Sequence, residues 1–159
     1  MNYLTITYPD INNGPGFRAT LWIAGCSHKC HGCHNKHTWD YSLGKKMNSI
    51  EFNKEIDDIF KNDYITGLTI SGGDPLDQSE NDLKELYVFL KSFKKKYPDK
   101  NIWIYSGFTY DELCHKNSQT TSNILELCDI LVDGPYIESL RDTSLAFRGS
   151  HNQNIIKIH

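Results

Sequence analysis

Cys26, Cys30 and Cys33 stand in the run Cys26-Ser27-His28-Lys29-Cys30-His31-Gly32-Cys33, a Cys-x3-Cys-x2-Cys spacing. Thiolates are the usual ligands of iron–sulfur clusters, and a cubane has four irons to hold. Three cysteines leave one iron without a protein ligand. A metal centre kept one ligand short is what a catalytic site needs if a substrate is to coordinate. The spacing therefore points to a cluster used as a reagent. A Cys3His zinc site is the rival reading, because His28, His31, His34 and His37 crowd the same stretch and zinc takes Cys and His alike. Those histidines recur every three residues, which drifts around a helix and makes no single ligand face; most should face solvent or stand behind the ligands.

The chain has five cysteines, an odd count with three of them in one loop, poor material for a disulfide scaffold and good material for a metal site in a reducing compartment. Cys114 and Cys128 follow leucines in helix-like settings and read as buried small hydrophobes.

Short apolar runs that alternate with amphipathic stretches must position these residues. Ala19–Ala24 reads as a buried strand that feeds the cysteine loop. Ser49 is placed to cap a helix with Phe52, Ile56, Ile59 and Phe60 on one face. Thr66–Ile70 reads as a second strand, ending in the turn Ser71-Gly72-Gly73-Asp74-Pro75. From Ser79 a second helix puts Leu83, Leu86, Tyr87, Leu90 and Phe93 on one side and stops before Pro98. Asn101–Tyr105 is a third strand, and Thr109 with Glu112 forms a capping-box pattern for the next helix. Asp129–Val132 is a fourth strand, ending at Asp133-Gly134-Pro135-Tyr136. Trp22 and Trp103 lie in strand-like runs and read as core.

Strands alternating with helices imply right-handed βαβ units and a parallel sheet. The chain's 159 residues fall short of the ~250 that a closed eight-unit barrel takes. An incomplete, open parallel (βα) barrel or a doubly wound sheet fits, as a single domain spanning residues 1–159. Either architecture brings the loops after the strands to one end of the sheet, where ligands bind. The cysteine loop, the Gly-Gly-Asp-Pro turn, Ser106-Gly107-Phe108 and Asp133-Gly134-Pro135 should converge there. A net charge of −3 argues against direct nucleic-acid binding. No apolar run reaches the ~20 residues of a membrane span, and residues 1–10 lack a signal-peptide pattern. The expectation is a soluble, cytoplasmic protein.

The cysteine run resembles the CxxxCxxC signature of radical S-adenosylmethionine enzymes, and its companions strengthen the likeness. Asn12-Asn13-Gly14-Pro15-Gly16-Phe17-Arg18 is similar to the (D/N)GPGxR segment of glycyl-radical-enzyme activases. Cys33-His34-Asn35 with Thr38-Trp39-Asp40 resembles the corresponding run of pyruvate formate-lyase activating enzyme. Ser71-Gly72-Gly73-Asp74-Pro75 sits one βα unit later, where that superfamily carries its GGE or GGD motif. The short length, Leu131-Val132-Asp133-Gly134-Pro135-Tyr136 and the tail Phe147-Arg148-Gly149-Ser150-His151-Asn152-Gln153 resemble the activases of anaerobic (class III) ribonucleotide reductase across essentially the whole chain. The superfamily often has an aromatic before the third cysteine; this chain has Gly32, as the anaerobic reductase activases do.

The resemblance implies the fold of an open radical S-adenosylmethionine barrel, and two cofactors, a 4Fe–4S cluster on Cys26, Cys30 and Cys33 and S-adenosylmethionine. It implies reductive cleavage of the sulfonium to methionine and a 5′-deoxyadenosyl radical, which takes a hydrogen from a glycine of the anaerobic reductase large subunit. An electron donor such as reduced flavodoxin is a further implied partner. Gly72 and Gly73 would let backbone approach the methionyl group, Asp74 would pair with its ammonium, and Gly32, Cys33 and His34 would border the nucleoside. Other readings stay open: an activase of another glycyl radical enzyme such as pyruvate formate-lyase, a non-catalytic iron–sulfur or zinc module, and a radical enzyme acting on a small molecule or an RNA base.

Overall fold

The computed structural model describes residues 1–159. In chain order the elements are β1 (Asn2–Asp10), β2 (Phe17–Ile23), β3 (Lys45–Lys46), α1 (Ile50–Phe60), β4 (Ile65–Gly72), α2 (Glu80–Lys96), β5 (Asn101–Tyr105), α3 (Tyr110–His115), α4 (Gln119–Leu125), β6 (Ile130–Asp133) and β7 (Asn154–Lys157). The strands form one mixed seven-stranded sheet in the order β3-β1-β2-β4-β5-β6-β7.

Its centre, β2-β4-β5-β6, is parallel. The edges are antiparallel, with β1 against β2 and β3, and β7 against β6. The expectation of an all-parallel sheet is corrected at both edges. Residues 11–16 between β1 and β2 are too few for the crossover that a parallel pair requires, and the tail after β6 turns back on itself without an α-helix.

Alternation along the strands sorts the sheet into two faces. Ala19, Leu21, Ile23, Leu68, Ile70, Ile102, Ile104 and Leu131 join helix residues Phe52, Ile56, Ile59, Leu86, Leu90 and Ile124 in the apolar core. The opposite face carries Arg18, Thr20, Trp22, Thr69, Ser71, Trp103 and Tyr105, a polar and aromatic set. Helix starts follow the capping pattern: Ser49 accepts from the Phe52 amide, Ser79 from Asp82, and Thr109 with Glu112 forms a complete capping box. Phe89 is buried on α2 beside the expected stripe, while Tyr87 is only half-buried.

Two cysteine expectations divide. Cys128 is fully buried, in the turn before β6. Cys114 is exposed, because on α3 it is the neighbouring Leu113 that turns inward. Trp103 is buried and Trp22 half-buried, its indole N–H donating to Thr7 Oγ1 at 2.9 Å.

Arg18 packs under the Asn-Gly-Pro-Gly segment, where a Cβ on Gly14 would lie 2.7 Å from its Cδ. Its side chain is fully buried and donates from Nε to Thr69 Oγ1 at 2.6 Å, from Nη1 to Asn101 Oδ1 at 2.7 Å and from Nη2 to the Leu68 carbonyl at 2.9 Å. The guanidinium lies 5.4 Å from the Trp103 ring centre. Burial without a carboxylate partner lowers its pKa to about 10. This brace ties the starts of β2 and β5 to the middle of β4, away from the loop that carries the cysteines.

Candidate functional site

Four loops leave the carboxyl ends of β2, β4, β5 and β6, and backbone hydrogen bonds pull them together. The Gly73 amide donates to the Ile23 carbonyl and the Asp74 amide to Gly25, both at 2.8 Å. Gln78 Nε2 donates to the carbonyls of Ala24, Gly25 and Asp74. On the other side, the Ser106 amide donates to Val132 and the Gly134 amide to Phe108, both at 2.9 Å. The expected convergence is therefore present.

Gly73 is the contact point between the first two loops. A Cβ there would lie 2.2 Å from the Gly25 carbonyl oxygen. Its missing side chain makes room for the root of the cysteine loop, a reason for glycine that owes nothing to a ligand. Gly32 is half-buried with φ +74, and a Cβ would meet the Glu138 carboxylate at 2.8 Å. His31 Nδ1 pairs with the same carboxylate. The His34 ring, exposed, sits edge-on to Tyr136 with centroids 6.0 Å apart. The segment after β6 thus flanks the cysteine loop.

All three cysteines of the loop are free thiols, Cys26 buried, Cys30 and Cys33 half-buried. Burial pushes the Cys26 thiol up to about 11 and raises Cys30 as well. Both would ionise when a cation takes the thiolate. No three His, Cys, Asp or Glu side chains converge as ligands of a single ion. A cubane does not ask them to, since each thiolate binds a different iron. The donor set fits a cluster held by Cys26, Cys30 and Cys33.

Asp74 is buried, and its carboxylate is surrounded by protein donors: His28 Nε2 at 2.8 Å, Ser106 Oγ at 3.0 Å and the Gly107 amide at 2.8 Å on Oδ2, and the Leu76 amide at 2.8 Å on Oδ1. Three of these donors share Oδ2 and one reaches Oδ1, so four protein groups hold the carboxylate and Oδ1 keeps an acceptor site. The hydrogen bond to Asp74, opposed by burial, raises the His28 pKa above the ordinary histidine value. A second aspartate, Asp77, receives the Ser27 amide and the Tyr41 hydroxyl.

The tail segment anchors the loop after β6. Asn152 Nδ2 donates to the Pro135 carbonyl at 2.7 Å, Gln153 Nε2 to Gly134 at 3.1 Å, and Arg148 Nη1 to the Gln153 carbonyl at 2.8 Å. Between this tail, residues 12–13 and the cysteine loop lies a cavity of about 410 Å³, walled by Trp22, His34, Asn35, Tyr105, Phe147 and Arg148, within the range of small-molecule sites. Arg148 Nε is buried at this wall and has no acceptor.

The site thus gathers Cys26, Cys30, Cys33, Gly32, His34, Gly72, Gly73 and Asp74 around one loop cluster. His37 lies on its exposed rim. Sequence reasoning brought the Ser106-Gly107-Phe108 loop to the site without a role for Ser106, named Arg148 only within the tail's resemblance, and missed Asp77, Gln78 and Glu138. The polar run Asp77-Gln78 ahead of a helix cap was the one local signal; the rest become neighbours only through the fold.

The chain matches the model of the 4Fe-4S single cluster domain over residues 12–156. It is 39% identical over 157 residues, 98% of this chain and 97% of the relative, to the anaerobic ribonucleoside-triphosphate reductase-activating protein of Haemophilus influenzae. The protein of the same name from Escherichia coli (strain K12) is 36% identical over 159 residues, with 96% of each chain covered. That of Enterobacteria phage T4 is 35% identical over 158 residues, 98% of this chain and 93% of the relative.

Proposed function

We propose that this chain, which belongs to the family of anaerobic ribonucleoside-triphosphate reductase-activating proteins, is the activase that generates the glycyl radical on the large subunit of that reductase. The observation that carries the reading is one loop bearing three free thiols, its root packed on the Gly72-Gly73-Asp74 turn beside a cavity of about 410 Å³.

When bound to Cys26, Cys30 and Cys33, a 4Fe–4S cluster would supply one electron and an open iron at which S-adenosylmethionine can coordinate. The protein's own part is placement. Arg148 Nε–H, buried without an acceptor, offers the cavity a donor that the methionyl carboxylate would satisfy. Asp74 can accept the methionyl ammonium at Oδ2 if the Ser106 hydroxyl, a rotatable donor, swings away from that oxygen. Gly72 and Gly73 would let backbone come close to the methionyl group, and Gly32, Cys33 and His34 would border the nucleoside. Trp22, Tyr105 and Phe147 would give one aromatic side to a cavity otherwise lined by polar groups. The missing side of the enclosure would come from the reductase, with a flexible glycine loop entering the open mouth.

The finer architecture belongs to the same reading: the parallel centre with its polar inner face is an incomplete, open (βα) barrel of the radical S-adenosylmethionine type. A cytoplasmic setting and an electron donor such as reduced flavodoxin complete it; no helix of the chain is long and apolar enough to cross a membrane. The test is reconstitution with iron and sulfide under anaerobic conditions, reduction, and addition of S-adenosylmethionine. Equal amounts of methionine and 5′-deoxyadenosine are expected. A fully loaded, reduced protein that releases neither would overturn the proposal in favour of a non-catalytic module.

A further inference from the structure

The stretch between Cys26 and Cys30 has to hold two ligands apart in a fixed geometry, yet it carries little of its own support. Lys29 has φ +48, a left-handed conformation that a lysine seldom adopts, and its side chain is exposed. Something outside the stretch must therefore hold it. Ser27 is tied by its amide to Asp77. The next residue reaches further. His28 Nε2 meets Asp74 Oδ2 at 2.8 Å, and the ring packs edge-on to Phe108 with centroids 4.5 Å apart.

The far side of this stack is closed as well. Lys116 Nζ lies 3.8 Å from the Phe108 ring centre and donates to the Leu76 carbonyl at 2.7 Å. The Gly107 amide and Ser106 hydroxyl that bind Asp74 come from the same loop as Phe108. A Cβ on Gly107 would lie 2.6 Å from the His28 ring, so glycine is needed there for the imidazole to fit. The loops after β2, β4 and β5 thus meet at one imidazole.

We infer that His28 is a positioning residue of the cluster loop: clamped by Asp74, Gly107 and Phe108, it fixes the backbone between Cys26 and Cys30 before iron arrives. The inference rests on the cluster reading for its purpose, though the clamp itself is made of contacts among this chain's own residues. Iron uptake then does not have to order this stretch, and the bound cluster sits in a preset frame.

The test uses His28→Phe, which keeps a ring against Phe108 and loses the bond to Asp74, and His28→Gln, which keeps a donor and loses the ring. Amide hydrogen exchange across residues 27–30 of the metal-free protein reads the clamp directly. His28→Phe should speed it by roughly tenfold or more, the factor that losing one hydrogen bond to a charged group corresponds to, with His28→Gln closer to wild type. After reconstitution, His28→Phe should lose iron to a chelator faster and show a shifted electron paramagnetic resonance spectrum, while His37→Ala, on the exposed rim, matches wild type in both. Should His28→Phe not fold, His28→Gln must still exchange measurably faster than wild type, by a smaller factor that reads the lost ring contact. Unchanged exchange at residues 27–30 in the folded variants overturns the inference, whether or not a cluster binds. Wild-type protein that takes up no iron counts instead against the cluster reading and leaves the exchange result to decide the clamp.

Discussion

Gly73 lies so close to Gly25 that a methyl group on it would stand 2.2 Å from the Gly25 carbonyl oxygen. The obstacle is backbone, which cannot swing aside. Because the Gly73 and Asp74 amides also donate into this contact, Gly73→Ala should push the turn off the cysteine loop. Overpacking of this kind costs about 1–3 kcal/mol, to be read as a lowered denaturant midpoint. Iron uptake per folded chain should fall too. Wild-type stability in Gly73→Ala would show that the two loops are free to separate.

Replacing Cys26, Cys30 or Cys33 by Ala should prevent cubane assembly, measured as iron and sulfide content after anaerobic reconstitution. Cys114→Ala should leave iron content and stability alone, because the side chain is exposed. Cys128→Ala should keep the cluster yet cost roughly 1 kcal/mol of stability, since the thiol is fully buried. Iron loss in Cys128→Ala without unfolding would contradict this division.

Arg18 gives a contrasting prediction. Arg18→Ala leaves Thr69, Asn101 and the Leu68 carbonyl without their donor inside the protein, a loss of about 2–4 kcal/mol. Arg18→Lys should recover only part of it, because one ammonium cannot reproduce the fork. Variant molecules that remain folded should bind iron as wild type does, the brace being away from the loop that carries the cysteines. A selective iron defect with normal melting would place Arg18 in the site instead.

Arg148→Gln should weaken S-adenosylmethionine binding roughly tenfold, the size of one lost charge-assisted hydrogen bond, while iron content holds. Equilibrium dialysis of the loaded protein against S-adenosylmethionine measures it. Unchanged affinity would take Arg148 out of the cofactor's reach.

Much of this was legible in the residues. The helices with clean apolar stripes and polar caps, such as Ser49 with Phe52, Ile56, Ile59 and Phe60, stand where the pattern puts them, and so do the apolar parallel strands. β1 hides because irregularities between Tyr3 and Thr5 and between Thr7 and Asp10 break its alternation. α4 begins Gln-Thr-Thr-Ser-Asn, weak helix formers after the glutamine, and packs on α2. β7 is exposed along most of its length, with Ile156 alone packed against the core. At the site, the cysteines and the Gly-Gly-Asp turn could be read directly. The approach of the Ser106-Gly107-Phe108 loop could be read too, but not its bonds to Asp74, because Ser106 and Gly107 lie 32 and 33 residues further along the chain and their register at Asp74 is set by the folded crossover.

The central claim is radical transfer to the reductase, and electron paramagnetic resonance reads it directly. Reduced, cluster-loaded protein mixed with S-adenosylmethionine and the anaerobic ribonucleotide reductase large subunit should produce a glycyl-radical doublet on that subunit, erased when its target glycine is replaced by alanine. A doublet on pyruvate formate-lyase with none on the reductase, or no radical on either despite a loaded and reduced cluster, would contradict the account.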